Sequence, residues 1–249
     1  VKRPLQMTLL LLAGIGLLRV SLFTDLYLRY VKEGMRPLLI ASGALLILLG
    51  VADAVSYGRR RGGEEHTDHG NESHGHHHST TPRAAWLLFL PVLSLLLYAP
   101  PALGAYTASR AAPKAITHQD DFDPLPGISP LPITLSDFTR RVQQDRTKAI
   151  RGRTVQMAGF VTPGQQGDSW FLTRIMISCC AADAQSVKVR IYGTPALPTN
   201  TWVAVTGTWH PRGTLGTSSA AAALDAQSEE KIAKPVNAYT DALPLTPTR

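Results

Sequence analysis

Three long stretches almost free of charge decide most of what this chain can fold into. Residues 5–24 carry one charge, Arg19; residues 38–57 carry one, Asp53; residues 84–106 carry none. About 20 consecutive apolar residues cross the hydrocarbon of a bilayer as a helix, so each stretch predicts a transmembrane span. Within lipid the backbone must satisfy its own hydrogen bonds, which for a lone apolar run means a helix. The first run, with Lys2 and Arg3 ahead of it, also has the outline of a secretory signal. No Ala-x-Ala-like site follows it and a second run comes soon after, so a span is the better reading. Pro91 would kink the third helix, and Pro100-Pro101 would end it near the interface.

Orientation follows from the basic residues that flank the spans. One side receives Lys2, Arg3, Arg59, Arg60, Arg61 and Arg83; the other receives Arg29, Lys32, Arg36, Arg110 and Lys114. The count differs by one, and the arginine triplet directly at a helix end tips it towards a cytoplasmic start. Three crossings then place everything after residue 107 outside the cytoplasm. Arg19 and Asp53 fall near opposite ends of their helices under this topology, so each is expected to reach for its nearest interface rather than to pair.

Between the second and third spans lies a polar loop, residues 58–83, containing His66, His69, His74, His76, His77 and His78. Neutral imidazole is a ligand of choice for zinc, copper and nickel. Glu64, Glu65, Asp68 and Glu72 add oxygen donors. The tract has no fixed spacing of the kind that builds a defined site, so weak metal capture stands beside a plain solvated linker.

Beyond the membrane region, 1–107, residues 108–132 are rich in Pro, Ala and Asp and are expected to form an extended linker. Leu135, Phe138 and Val142 then recur with helical spacing, with Thr134 or Ser136 as cap and Asp137 in the first turn. Alternating runs follow. Val155, Met157 and Val161 share one face; Val187, Val189 and Ile191 alternate with Lys188, Arg190 and Tyr192; Val203, Val205 and Trp209 alternate with Ala204, Thr206 and Thr208. Residues 170–177 are apolar on both faces, as in a bent central strand. Pro163-Gly164, Gly167-Asp168 and Gly193-Thr194-Pro195 mark the turns. The expectation is a mainly-β, OB-like small barrel with a flanking helix over 133–240, then a tail, 241–249. Residues 220–234 stay ambiguous, since their alanines favour helix while the barrel needs a fifth strand.

The only two cysteines, Cys179 and Cys180, are adjacent and fall in the connection between two of these strands. Neighbouring Cα atoms are about 3.8 Å apart across a trans peptide, below the usual disulfide range, so a bond between the thiols would be strained and easily reduced. Two thiolates with Asp183 close by could instead hold Zn²⁺ or another transition metal such as Cu⁺, with His118 or His210 as further ligands. A third reading is that both are small buried hydrophobes. Oxidising compartments penalise idle exposed thiols, which favours a role for at least one of them. A Cys-x-x-Cys motif is absent, so thioredoxin-like chemistry is not expected.

Several of these segments together carry a resemblance. Val155-x-x-x-Gly159-Phe160-Val161, Phe171-Leu172-x-Arg174, Ile177-Ser178-Cys179-Cys180-Ala181-Ala182-Asp183-Ala184 and Val205-Thr206-Gly207-Thr208-Trp209, behind three spans and a histidine-rich loop, resemble the YcgQ-like bacterial family of permease subunits. The Cys-Cys-x-Ala-Asp-Ala core is its most specific part. The resemblance implies a membrane-anchored, non-enzymatic subunit that acts with a larger integral-membrane permease, and it names no solute.

Charge excludes one class of partner. The net charge of +7 divides into +4 over 1–112 (11 Lys+Arg against 7 Asp+Glu) and +3 over 113–249 (14 against 11). No block is basic enough to make nucleic acid the expected partner, although OB-like barrels often bind it. With what the resemblance implies, and with the histidine loop and the thiol pair, the expectation is an accessory subunit in a transport complex for a transition metal or related solute. The reading from another class is an envelope thiol-redox or metal-delivery protein that works without a permease.

Overall fold

A computed structural model of the chain describes residues 2–61, 103–164, 169–235, 238–243 and 245. The chain divides into two compact units, Val1–Ala102 and Leu103–Arg249.

The first unit contains two helices, α1 (Lys2–Phe23) and α2 (Arg36–Arg61), that pack on each other as a hairpin. Each is long and apolar enough to cross a membrane. Glycines set how closely they approach. A Cβ on Gly14 would come within 2.8 Å of the Gly43 carbonyl and 2.7 Å of Ile47 Cγ1, so this crossing requires the hydrogen side chain. The turn between them is held by Arg36, whose Nε donates to the Ser21 carbonyl at 2.9 Å and thereby satisfies the C-terminal end of α1. One carboxylate oxygen of Asp53 on α2 is buried with no hydrogen-bond partner among the described residues. The expected third span, 84–106, lies outside the described residues except at its end, and so does nearly all of the 58–83 loop. Residues 105 and 106 belong to a short helix, α3 (Ala105–Arg110), of the second unit.

The second unit is a closed five-stranded barrel. Its strands are β3 (Val155–Thr162), β4 (Trp170–Met176), β5 (Gln185–Tyr192), β6 (Trp202–Trp209) and β7 (Ala223–Lys231). Two short strands from the stretch expected as linker, β1 (Ala112–Pro113) and β2 (Leu131–Pro132), add in parallel to β5 and β3. The barrel runs β3-β4-β5-β7-β6 and back to β3, antiparallel throughout except for β5 with β7. This is the strand order of an OB-like barrel, in which closure removes the exposed edges of an open sheet.

The ambiguous stretch 220–234 holds a strand, β7 (Ala223–Lys231). β7 is antiparallel to β6 from Val203↔Lys231 to Trp209↔Leu224, and parallel to β5 at Arg190↔Ala223. Pairing on both sides outweighs the helical preference of the alanines, because strand preference is mostly a matter of tertiary fit. Between Thr206 and Gly207 the ladder shifts register, with Gln227 as an extra residue on β7, and Gly207 fits it: a Cβ there would run into the Asp225 carbonyl of β7.

The inward residues are those that the alternation marks. Val155, Met157 and Val161 meet Trp170, Leu172, Val189, Ile191, Val203, Val205 and Leu224 in one core. Helix α4 (Leu135–Gln144) inserts Leu135, Phe138 and Val142 into the same core, all 0% exposed, as the spacing predicts. Each such side chain contributes about 1.5–3 kcal/mol on burial. Thr134 caps α4 through its hydroxyl, which accepts from the Asp137 amide at 3.1 Å. A smaller cluster of Phe160, Ile175, Ile177, Ala108 and Tyr239 packs on the outer side of the strands.

Candidate functional site

Residues 177–184 join β4 to β5 at one end of the barrel. The two strands stay paired down to Met176↔Gln185, so the connection starts and ends on a fixed base. Ile177 is anchored further: its side chain is buried, and its amide donates to the Tyr239 carbonyl at 3.2 Å. A single turn, Ala181–Asp183, then brings Asp183 back over the loop.

Asp183 organises what lies between. Its Oδ1 accepts from the Ser178 amide at 2.9 Å and its Oδ2 from the Cys179 amide at 2.7 Å. A hydrogen bond from the Cys179 thiol is the main cause that holds this carboxyl below its ordinary range, and the backbone amides of Ser178, Cys179 and Cys180 act the same way. The converse holds for Cys179, pushed up to about 11 first by its hydrogen bond to Asp183 and then by that to Cys180. Cys179 is exposed, Cys180 half-buried, and both are free thiols with their Sγ atoms 3.7 Å apart. The joining peptide is trans, since among the described residues only Ser129-Pro130 is cis.

This geometry has a chemical consequence. The thiolate is the form that attacks or ligates. With an anion as the acceptor beside it, Cys179 holds its proton at neutral pH and is not an activated nucleophile. Cysteines as buried core residues, the third reading above, do not fit a Cys179 that is exposed.

The other expected ligands are not brought to the pair. His118 pairs with Asp120 at 3.0 Å on an exposed stretch. His210 Nδ1 lies 2.7 Å from Asp225 Oδ1, and its ring stacks on Tyr192 with centroids 4.3 Å apart. Tyr192 ends β5 while the cysteine loop precedes its start, about 23 Å away along a strand of this length. Among the described residues no group of three or more His, Cys, Asp or Glu side chains is disposed to hold a metal ion. His66, His69, His74, His76, His77 and His78 lie outside the described residues.

Two residues that sequence reasoning left without a role are Arg174, three residues before the loop, and Asp241, brought in from far along the chain. Arg174 is 0% exposed on β4. The β3–β4 ladder covers only Phe160↔Thr173 to Thr162↔Phe171, and past it Arg174 Nε donates to the Ala158 carbonyl at 2.9 Å, across the gap where the strands part. Its guanidinium stacks over Trp202 at 5.0 Å. Burial pushes its pKa down, and the charge of Asp241 opposes that. Asp241, assigned by sequence to a tail, caps α4 instead: its carboxylate accepts from the amides of Leu135 and Ser136 at 3.2 and 2.6 Å. The signal for Arg174 was present, as a lone charge inside an apolar run. Asp241 had none, because its partners are 105 and 106 residues away.

No curated protein and no solved structure matches this chain. Residues 135–240 match the family model described as the DUF1980 C-terminal domain, a span that takes in α4, all five barrel strands and the cysteine loop.

Proposed function

We propose that this chain is a non-enzymatic accessory subunit of a membrane permease complex. Its apolar helices dock on a larger integral-membrane partner, and its barrel lies outside the cytoplasm, where it captures or gates a transition-metal ion or related soft solute. One observation carries the reading: a helical hairpin of membrane-crossing length and an OB-like barrel with two free adjacent thiols at one end occur in the same chain. The match of residues 135–240 to the DUF1980 C-terminal domain supports it.

Within this reading Cys179 and Cys180 supply soft sulfur donors. Asp183 holds their loop in shape, its oxygens taken by the Ser178 and Cys179 amides. The histidines of the 58–83 loop are weaker donors on the opposite side of the membrane.

The test is co-purification of the full chain from its native membrane in mild detergent. Recovery of a stoichiometric integral-membrane partner is the expected result. Its absence in several detergents would sink the subunit reading. A metal role is tested separately by solute-dependent growth and thermal stability of Cys179→Ser, Cys179→Ala, Cys180→Ser and Cys180→Ala. The site reading expects loss of growth in folded variants, and activity that simply follows stability across all four overturns it.

A further inference from the structure

We propose that the cleft between residues 114–117 and the first turns of α4 is a binding site for a small oxyanion, a phosphate or carboxylate group. It is separate from the thiol pair and stands whether or not the chain assembles with a permease. The cleft encloses about 140 Å³ and is lined by Lys114, Ser136, Thr139 and Arg140, with Ile116 and Val187 as its apolar wall.

Lys114 is fixed by its backbone, whose amide donates to the Ser186 carbonyl at 2.9 Å on the edge of the barrel. Its ammonium reaches Ser136 Oγ at 3.1 Å and the Met176 sulfur at 3.4 Å. The Ser136 hydroxyl in turn points at the same sulfur, 3.8 Å away. A thioether is among the weakest acceptors in proteins. Two strong donors therefore converge on a group that hardly rewards them. Arg140 adds a guanidinium whose Nη1 bonds Gln119 Oε1 at 2.7 Å, leaving four of its N–H groups for other partners. Among the described residues neither Lys114 nor Arg140 takes part in an ion pair.

The Asp241 carboxylate beside Ser136 is already used, since it accepts from the Leu135 and Ser136 amides and so caps α4. What the cleft lacks is an acceptor with several lone pairs and negative charge, which describes an oxyanion. Size limits the ligand. A cavity of about 150 Å³ holds a benzene-sized group, whereas drug-sized ligands need roughly 300 Å³ or more. A phosphate or a short carboxylate fits; a nucleotide would have to leave most of itself outside.

The experiment uses the full chain in detergent, with inorganic phosphate and malonate as probes and ionic strength held constant with sodium chloride. Calorimetric titration measures binding, and mass spectrometry follows acylation of Lys114 with Lys188 as internal control. Saturable binding with selective protection of Lys114 is expected, and Arg140→Gln should weaken it roughly tenfold, the scale of one charge-assisted hydrogen bond. Stronger response to phosphate assigns a phosphate ligand, and stronger response to malonate a carboxylate. If Arg140→Gln fails to fold, protection of Lys114 in the unaltered chain decides. Equal acylation of Lys114 with and without either anion overturns the proposal, as does unchanged binding in a folded Arg140→Gln protein.

Discussion

A single carboxylate sets the chemistry of Cys179. Asp183 takes the amides of Ser178 and Cys179 and the Cys179 thiol together, so one side chain shapes the loop and suppresses the thiolate. This predicts how the thiol titrates. An ordinary cysteine has a pKa near 8.5, so at pH 8 an appreciable share is thiolate. With Cys179 raised to about 11, its alkylation should be slow at pH 8 and climb about tenfold per pH unit up to that value. Replacing Asp183 by Asn removes the anion that opposes ionisation, so Cys179 should be alkylated faster at pH 8. Iodoacetamide labelling in a Cys180→Ala background, read by mass spectrometry, isolates Cys179. Equal rates with Asp and Asn at 183 would refute the electrostatic account. The same sign governs metal binding, which must expel that proton and should therefore strengthen as pH rises.

At the scale of elements, α4 joins three parts of the second unit that are distant in sequence. Its apolar face closes the barrel core, its first turn is capped twice, by Thr134 and by Asp241, and its polar side forms the wall of the oxyanion cleft. Losing a capping hydroxyl costs about 1 kcal/mol. Thr134→Ala should accordingly lower the stability of the barrel domain by about that amount, measured by chemical denaturation, with the fold retained. No change would mean that Asp241 alone satisfies the helix start. Helix α4 was legible in the sequence because the spacing of Leu135, Phe138 and Val142 and the Thr134 cap are local signals. β7 was not, since its identity depends on β5 and β6 lying on either side of it.

For the whole molecule, the question is which side of a membrane the barrel faces. The orientation proposed above rests on Arg59, Arg60 and Arg61 at the end of α2. A reporter active only outside the cytoplasm should therefore be active when fused at Arg249 and silent when inserted within residues 62–80. The reverse pattern would put the barrel and its thiols in the cytoplasm. Disulfides are rare there, and idle exposed thiols would then need no explanation.

What the sequence determined by itself was everything written in local pattern. Apolar length marked α1 and α2, a period of two marked the strands and their inward faces, and an isolated pair of cysteines marked the loop. Such signals survive without the fold because each lies within a few residues of chain. Only the tertiary structure decided the rest. Barrel closure made residues 223–231 a strand; the parting of β3 and β4 gave Arg174 the Ala158 carbonyl; the return of the chain at residue 241 placed a carboxylate on the start of α4. It also separated His210 from the cysteines by the length of β5 and gathered Lys114, Ser136 and Arg140 around one cleft. These are contacts between residues far apart in sequence, and such contacts exist only once the barrel has closed.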